Sequence, residues 1–181
     1  MKLVCGIGVN KKQRPGVGTR AYRVWTSILQ ECANPDTKSK IGDFKSYTKF
    51  YDWYESQIGS DADYRITEGL IDKKNKKFSS DKCLLVPPEI SYFLRKSKKS
   101  RGKLPVGVDK QPSKGGFRYI ARASFDNSRK SLGMRSTIEE AFELYKAAKE
   151  SKARELAEKY RDQIDPRAYE ALLNYKVEIT D

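Results

Sequence analysis

Nine consecutive residues near the middle of the chain, RKSKKSRGK at 95–103, contain no apolar side chain. A segment with nothing to bury cannot join a hydrophobic core, so it is typical of a connection between domains. The chain has 181 residues, which leaves enough sequence on either side of the segment for a small core. We therefore expect a domain at 1–94, a basic linker at 95–103 and a second domain at 104–181.

The positive charge of the chain is concentrated around this linker. The formal net charge is +13, and residues 95–135 hold 13 basic residues but only two acidic ones, Asp109 and Asp126. A cluster of this kind is typical of a protein that binds a polyanion, most often nucleic acid. No apolar run approaches the ~18 residues of a membrane span, and the N-terminus lacks the apolar core of a signal peptide. We therefore expect no membrane partner and a cytoplasmic location.

The absence of histidine limits the chemistry that this chain can perform. Ser-His-Asp triads, His-ligated zinc sites and histidine general bases are all excluded. An enzyme built from this sequence would have to use carboxylates, lysine, tyrosine or cysteine. The three cysteines are odd in number and widely spaced, which favours buried core thiols over a disulfide framework or a metal site.

The hydrophobic pattern predicts an α+β fold. Apolar residues at steps of three and four predict helices from about residue 20 to Asn34 and over 44–58. Two strand-like runs, ITEGLID and CLLV, precede a short helix at EISYFL. In the second domain, LPVGVD, FRYIARASF and KSLGMR predict a three-stranded antiparallel sheet packed on a helix. That helix opens with a capping box at Thr137 and Glu140, and a last helix follows Asp165-Pro166.

The strand FRYIARASF separates an apolar face from a basic one. Phe117, Tyr119, Ala121, Ala123 and Phe125 point one way, towards the expected helix. The other face carries Arg118, Ile120, Arg122 and Ser124, and the next strand adds further basic residues. The major groove of DNA admits a small sheet, and arginine pairs bidentately with guanine. The candidate DNA-binding residues are Arg118, Arg122, Arg129, Lys130 and Arg135, with Arg95, Lys98, Lys99, Arg101 and Lys103 of the linker on phosphates. A solvated sheet face remains the alternative.

Residues 104–150 contain a series of short motifs along the predicted sheet and helix. The matching elements are Gly107-Val108, the strand from Arg118 to Arg122, Leu132-Gly133-Met134 and Thr137-Ile138-Glu139-Glu140-Ala141. With these elements the segment resembles the Apetala/ethylene-response-factor domain. The resemblance implies that Arg118, Arg122, Lys130 and Arg135 bind in the major groove.

The N-terminal half carries a second pattern, most specific in NKKFSSDKCLLVPPEI at 75–90. This half resembles phage HNH homing-endonuclease-like proteins, which implies a ββα-metal fold. At the positions where the family holds its metal and general base, this chain has Thr67, Glu68, Gly69 and Ser91, none of which suits that task, and Asn75 is a further relic position. We therefore expect a degenerate, inactive nuclease domain with no metal ion and no cofactor.

These observations predict a phage or mobile-element protein that acts in the bacterial host cytoplasm. It would bind double-stranded DNA sequence-specifically and act by occupying DNA, as a transcription repressor or as a competitor of a nuclease. One alternative is a Mg²⁺-dependent nicking endonuclease in which Glu68 and Asp72 hold the metal. The other is an inhibitor or adaptor that binds a protein partner through the nuclease-like half.

Overall fold

The computed structural model describes residues 3–95, 104–114, 116–125 and 128–180. The chain divides into two compact units, Met1–Ser91 with Arg161–Ala168 and Tyr92–Tyr160 with Tyr169–Asp181. The helices are α1 (Arg20–Ala33), α2 (Tyr47–Glu55), α3 (Pro88–Leu94), α4 (Ile138–Lys159) and α5 (Pro166–Leu173). The strands are β1 (Lys40–Ile41), β2 (Arg65–Thr67), β3 (Lys77–Phe78), β4 (Leu84–Val86), β5 (Val108–Ser113), β6 (Gly116–Phe125) and β7 (Ser128–Arg135). The fold is therefore α+β, as expected.

Helices α1 and α2 of the first unit enclose an aromatic core. Trp25 is fully buried, and its indole Nε1 donates a hydrogen bond to the Phe44 carbonyl oxygen over 2.6 Å. Helix α1 begins where the Thr19 side chain accepts a hydrogen bond from the Tyr22 amide. The helix expected over 44–58 is shorter, because Asp43–Lys45 forms a 3-10 turn and the extended backbone of Ser46 separates it from α2.

Two small strand pairs complete the first unit. Strand β2 pairs antiparallel with β4, and α3 follows β4 almost directly. The strand expected over ITEGLID ends at Thr67, because its partner β4 has only three residues and the pairing stops at Leu84. Strands β1 and β3 form a parallel pair that was not expected. Each has only two residues, too few to produce a recognisable alternation.

The second unit contains an antiparallel sheet in the order β5-β6-β7, packed on α4. Ala121 and Ala123 of β6 are buried, as expected for the face that meets the helix. A Cβ added at Gly133 of β7 would lie 3.3 Å from Leu144 Cδ1 of α4, so the helix lies close to the sheet. Phe117 was expected on this apolar face but is 54% exposed. Phe117 lies near the start of β6, at the end of the sheet where the turn connects β5 to β6.

The expected start of α4 is confirmed. Thr137 Oγ1 accepts the Glu140 amide and Glu140 Oε2 accepts the Thr137 amide, each over 3.2 Å, which completes the capping box. Helix α5 begins at Pro166, where an oxygen of the Asp165 carboxylate accepts the Arg167 amide. Across the described part of the chain, none of the helices is both long and apolar enough to cross a membrane.

Candidate nucleic-acid interface

The face of the sheet opposite α4 carries three arginines. Arg118 and Arg122 lie on β6 with side chains directed away from the buried Ala121 and Ala123. Arg129 of β7 is the register partner of Ser124, so it lies on the same face. At a rise of ~3.3 Å per residue, Arg118 and Arg122 begin about 13 Å apart along the strand. We call Arg118, Arg122 and Arg129 the arginine face.

Asp109 connects two members of the arginine face. It lies on β5 opposite Ile120, and its Oδ2 accepts from Arg129 Nη2 over 2.6 Å and from Arg122 Nη1 over 3.1 Å. The shared carboxylate restricts where both guanidinium groups can lie. Arg118 is exposed and makes no hydrogen bond or ion pair with any residue in the described ranges. The face therefore combines two oriented cations with one that is available to a ligand.

The centre of this face is more apolar than expected. Ile120 lies between the two β6 arginines yet is only 6% exposed. Its cross-strand partners are Asp109 on one side and Met134 on the other. Met134 itself is 46% exposed. An apolar centre rimmed by arginines can contact a thymine methyl group while the guanidinium groups reach acceptors on bases and phosphates.

The register does not place Lys130 and Arg135 on the arginine face. Lys130 is the partner of Ala123 and Arg135 is the partner of Tyr119, so both lie on the side of the sheet that packs on α4. The cause for Lys130 is a bulge, because Ala121 pairs with Gly133 but Arg122 pairs with Ser131. The extra residue exchanges the faces of Arg129 and Lys130 relative to an unbroken ladder.

The predicted phosphate contacts of the linker fall mostly outside the described residues, namely Lys98, Lys99, Arg101 and Lys103. Arg95 is described and exposed. Its guanidinium carbon lies 4.5 Å from the centre of the Tyr92 ring, a cation–π contact within one turn of chain.

Asn75, one of the positions that carry the resemblance to HNH proteins, organises a loop in the first unit. Its Nδ2 donates to the carbonyl oxygens of Glu68 and Lys77 over 2.8 and 2.9 Å, and its Oδ1 accepts the Lys77 amide over 3.2 Å. Both ends of the amide are therefore occupied by the backbone. Thr67 is the last residue of β2, and Ser91 lies inside α3 with its amide bonded to the Pro87 carbonyl oxygen.

The structure gives the surroundings of the two carboxylates considered as metal ligands, Glu68 and Asp72. Burial raises the pKa of Glu68, so its environment disfavours the charged form that a metal requires. Asp72 Oδ1 accepts the Lys74 amide over 2.9 Å and closes a turn. Within the described ranges no three side chains of the Asp, Glu, Cys or His types form a group that could hold a metal. Gly69, between the two carboxylates, has no side chain that could act as a ligand.

Sequence reasoning identified the arginines but not the role of Asp109. The available signal was its position as one of only two acidic residues in the strongly basic stretch 95–135. Comparison of this chain with known protein families, with curated proteins and with solved structures finds no match. The resemblances to the Apetala-type and HNH domains therefore remain predictions.

Proposed function

We propose that this chain is a double-stranded DNA-binding protein that acts by occupying DNA. The observation that carries the proposal is the arginine face, on the side of the sheet that α4 leaves open. Arg118 is available for a ligand, whereas Asp109 orients Arg122 and Arg129. Arginine forks match guanine edges and phosphates, and a small sheet fits the major groove. The resemblance to the Apetala-type domain supports Arg118 and Arg122 of this surface, whereas Lys130 and Arg135, which it also implies, lie on the other side of the sheet.

We further propose that the first unit is a nuclease relative without cleavage activity. The strand pair β2–β4 followed by α3 has the strand–strand–helix order of the ββα type. The chain has no histidine to act as general base, and Asn75 and Asp72 are engaged by backbone groups. Retained DNA binding without cleavage fits a repressor, or a competitor for the target of an intact nuclease. A phage or mobile-element origin follows from the same resemblance.

Binding is tested by fluorescence anisotropy with a labelled duplex selected from a random pool. We expect Arg118→Ala with Arg122→Ala to weaken binding by at least about tenfold, since each bidentate base contact is worth ~1–3 kcal/mol. Arg23→Ala with Arg154→Ala is the matched control, because both residues are exposed and the charge loss is equal. Equal losses in the two double variants would show that the sheet has no special role. Undiminished binding by the Arg118/Arg122 variant would favour another surface.

Cleavage is tested separately with supercoiled plasmid in the presence of Mg²⁺ or Mn²⁺. We expect the plasmid to remain intact while a gel shift shows binding that weakens with salt. Nicking that disappears in a Glu68→Ala, Asp72→Ala variant would overturn the proposal and assign the protein to the endonucleases.

A further inference from the structure

The first unit carries its own group of four exposed lysines. They come from β1, from β3 and from the loop before β3, and we call them the lysine surface: Lys40, Lys74, Lys76 and Lys77. In the described part of the chain, none of the four forms an ion pair with an acidic side chain. The first unit therefore presents its own concentration of unneutralised charge.

The parallel strand pair places two of these lysines side by side. Lys40 is the register partner of Lys77, and Ile41 is the partner of the buried Phe78. Since neighbouring strands lie ~4.8 Å apart, the two lysine side chains leave the backbone close together on the outer face. Like charges at neighbouring positions oppose each other, so this pairing gains from an anion that neutralises both.

Gly42 makes room for one of these side chains. A Cβ at this position would lie 2.9 Å from Lys77 Cε, and equally close to the Phe78 carbonyl oxygen and to Ser79 Cβ. The lysine stem therefore passes directly over the glycine backbone. The Lys77 side chain thus lies beside the backbone of Gly42, directly after β1.

The loop that carries the remaining lysines is fixed by local hydrogen bonds. Asp72 accepts the Lys74 amide through its side chain and the Asn75 amide through its carbonyl oxygen. Asn75 then bonds the backbone of Lys77 from both ends of its amide group. A loop held in this way has already lost much of the conformational entropy that ordering on a ligand would cost.

The neighbouring acidic groups do not cancel the lysine surface. The acidic groups beside it are Glu68, Asp72 and Asp81. Burial raises the pKa of Glu68, and the charge of Lys76 acts in the opposite direction. The Asp72 carboxylate accepts the Lys74 amide. A hydrogen bond from the Ser79 hydroxyl lowers the pKa of Asp81, and Lys77 acts in the same direction. The four lysines outnumber these three carboxyl groups, so the net charge of the cluster stays positive.

We propose that the lysine surface is a second nucleic-acid contact that binds the phosphate backbone of duplex DNA. The choice of duplex DNA as partner rests on the proposed function of the sheet. Lysine is a compact point charge, suited to phosphate oxygens and carrying no preference for a base. The first unit then supplies affinity that is independent of sequence, while the arginine face supplies the sequence preference.

The test compares two variants of equal charge in the whole chain. One carries Lys→Gln at the four positions of the lysine surface. The other carries Lys11→Gln, Lys12→Gln, Lys45→Gln and Lys49→Gln, four exposed lysines elsewhere in the same unit. Binding to a random-sequence duplex is followed by anisotropy over a range of salt concentrations, and circular dichroism verifies folding. Each lost phosphate contact lowers the slope of log K against log salt by about 0.9.

We expect the lysine-surface variant to reduce the slope by about 3 and the control variant by less than about 1. Equal reductions in both variants would overturn the proposal and indicate a general effect of net charge. The Arg118→Ala, Arg122→Ala variant separates the two surfaces. If it binds like the wild type, the proposed function of the sheet fails while the lysine comparison still stands.

A second measurement needs no substitution. Lysines of the wild-type protein are acetylated with and without the random-sequence duplex, and the modified sites are mapped by mass spectrometry. We expect the duplex to protect Lys40, Lys74, Lys76 and Lys77 and to leave Lys11, Lys12, Lys45 and Lys49 reactive. Full reactivity of the lysine surface in the complex would refute the contact whatever the variants do.

Discussion

Asp109 Oδ2 and Arg129 Nη2 are 2.6 Å apart, although their strands β5 and β7 are not neighbours in the sheet. The pair spans β6, a distance of about 9.6 Å between the outer backbones at the usual strand spacing. The same carboxylate oxygen also holds Arg122 of the central strand. Asp109 thus orients two of the three arginines of the arginine face and lowers the net positive charge of that face by one.

Asp109→Asn keeps the shape of this side chain and removes its charge. We expect binding to a random-sequence duplex to tighten several-fold, because Arg122 and Arg129 become free for phosphates. The slope of log K against log salt should steepen by about 0.9, which corresponds to one additional phosphate contact. Stability should change by less than about 1 kcal/mol, since the pairs are partly exposed. Anisotropy and urea unfolding measure the two effects.

The control for Asp109 is Glu143→Gln, which removes the same charge from an exposed position of α4. A purely global effect of charge would give the two variants the same salt slope. Weaker binding by Asp109→Asn would contradict the view that Asp109 competes with phosphate for these arginines.

Gly107 is required by both conformation and space. Its φ is +76°, and a Cβ at this position would lie 2.1 Å from Cδ2 of the buried Tyr145 ring. Its carbonyl oxygen accepts the Arg122 amide over 2.8 Å, next to the bulge. We expect Gly107→Ala to destabilise the protein by about 2–4 kcal/mol, measured by urea unfolding.

The matched control is Gly6→Ala, because Gly6 has the same φ of +76° but no atom within 4 Å of the added Cβ. Its cost should be about 1–2 kcal/mol, from backbone strain alone. Equal losses at the two glycines would mean that Tyr145 moves aside without cost.

The capping box at the start of α4 gives a smaller and more local prediction. Thr137→Ala removes the acceptor for the Glu140 amide and should cost about 1 kcal/mol in the free energy of unfolding. Glu140→Gln keeps an acceptor for the Thr137 amide and should lower the free energy of unfolding by only a few tenths of a kcal/mol. If the two changes are equally costly, the charge of Glu140 near the helix N-terminus matters more than its hydrogen bond.

The features that could be predicted from the sequence are those with a local cause. Helices α1 and α4 follow from amphipathic spacing and from the caps at Thr19 and Thr137. The pairing of Lys40 with Lys77 could not be predicted, since two-residue strands leave no pattern and their contact is set by the surrounding core. The sides of the sheet on which Arg129 and Lys130 lie depend on the bulge between β6 and β7. The sequence of β7 alone does not specify the position of that bulge.

Cys32 and Cys83 should be slow to react in the folded protein. Burial raises the pKa of Cys83 to about 12 and that of Cys32 to about 11, from an ordinary value of 9.0. At about pH 8 the folded state therefore holds roughly a thousandfold less Cys83 thiolate than an unfolded chain does. We expect iodoacetamide to modify Cys83 far more slowly in buffer than in guanidinium, as measured by mass spectrometry. Equal rates would show that this part of the core opens readily.

The two faces of the sheet give the sharpest prediction about the interface. Arg118 and Arg135 carry the same charge, but Arg118 lies on the arginine face and Arg135 on the side of α4, with its Nη1 donating to the Met134 carbonyl oxygen. If DNA binds the arginine face, Arg118→Ala should lower affinity for the selected duplex by about tenfold or more, whereas Arg135→Ala should lower it by only about twofold. Lys130→Ala should behave like Arg135→Ala, and Arg129→Ala like Arg118→Ala. The reverse order, with Lys130 and Arg135 dominant, would mean that DNA approaches the edge beside α4 and that the bulge directs Arg129 away from it.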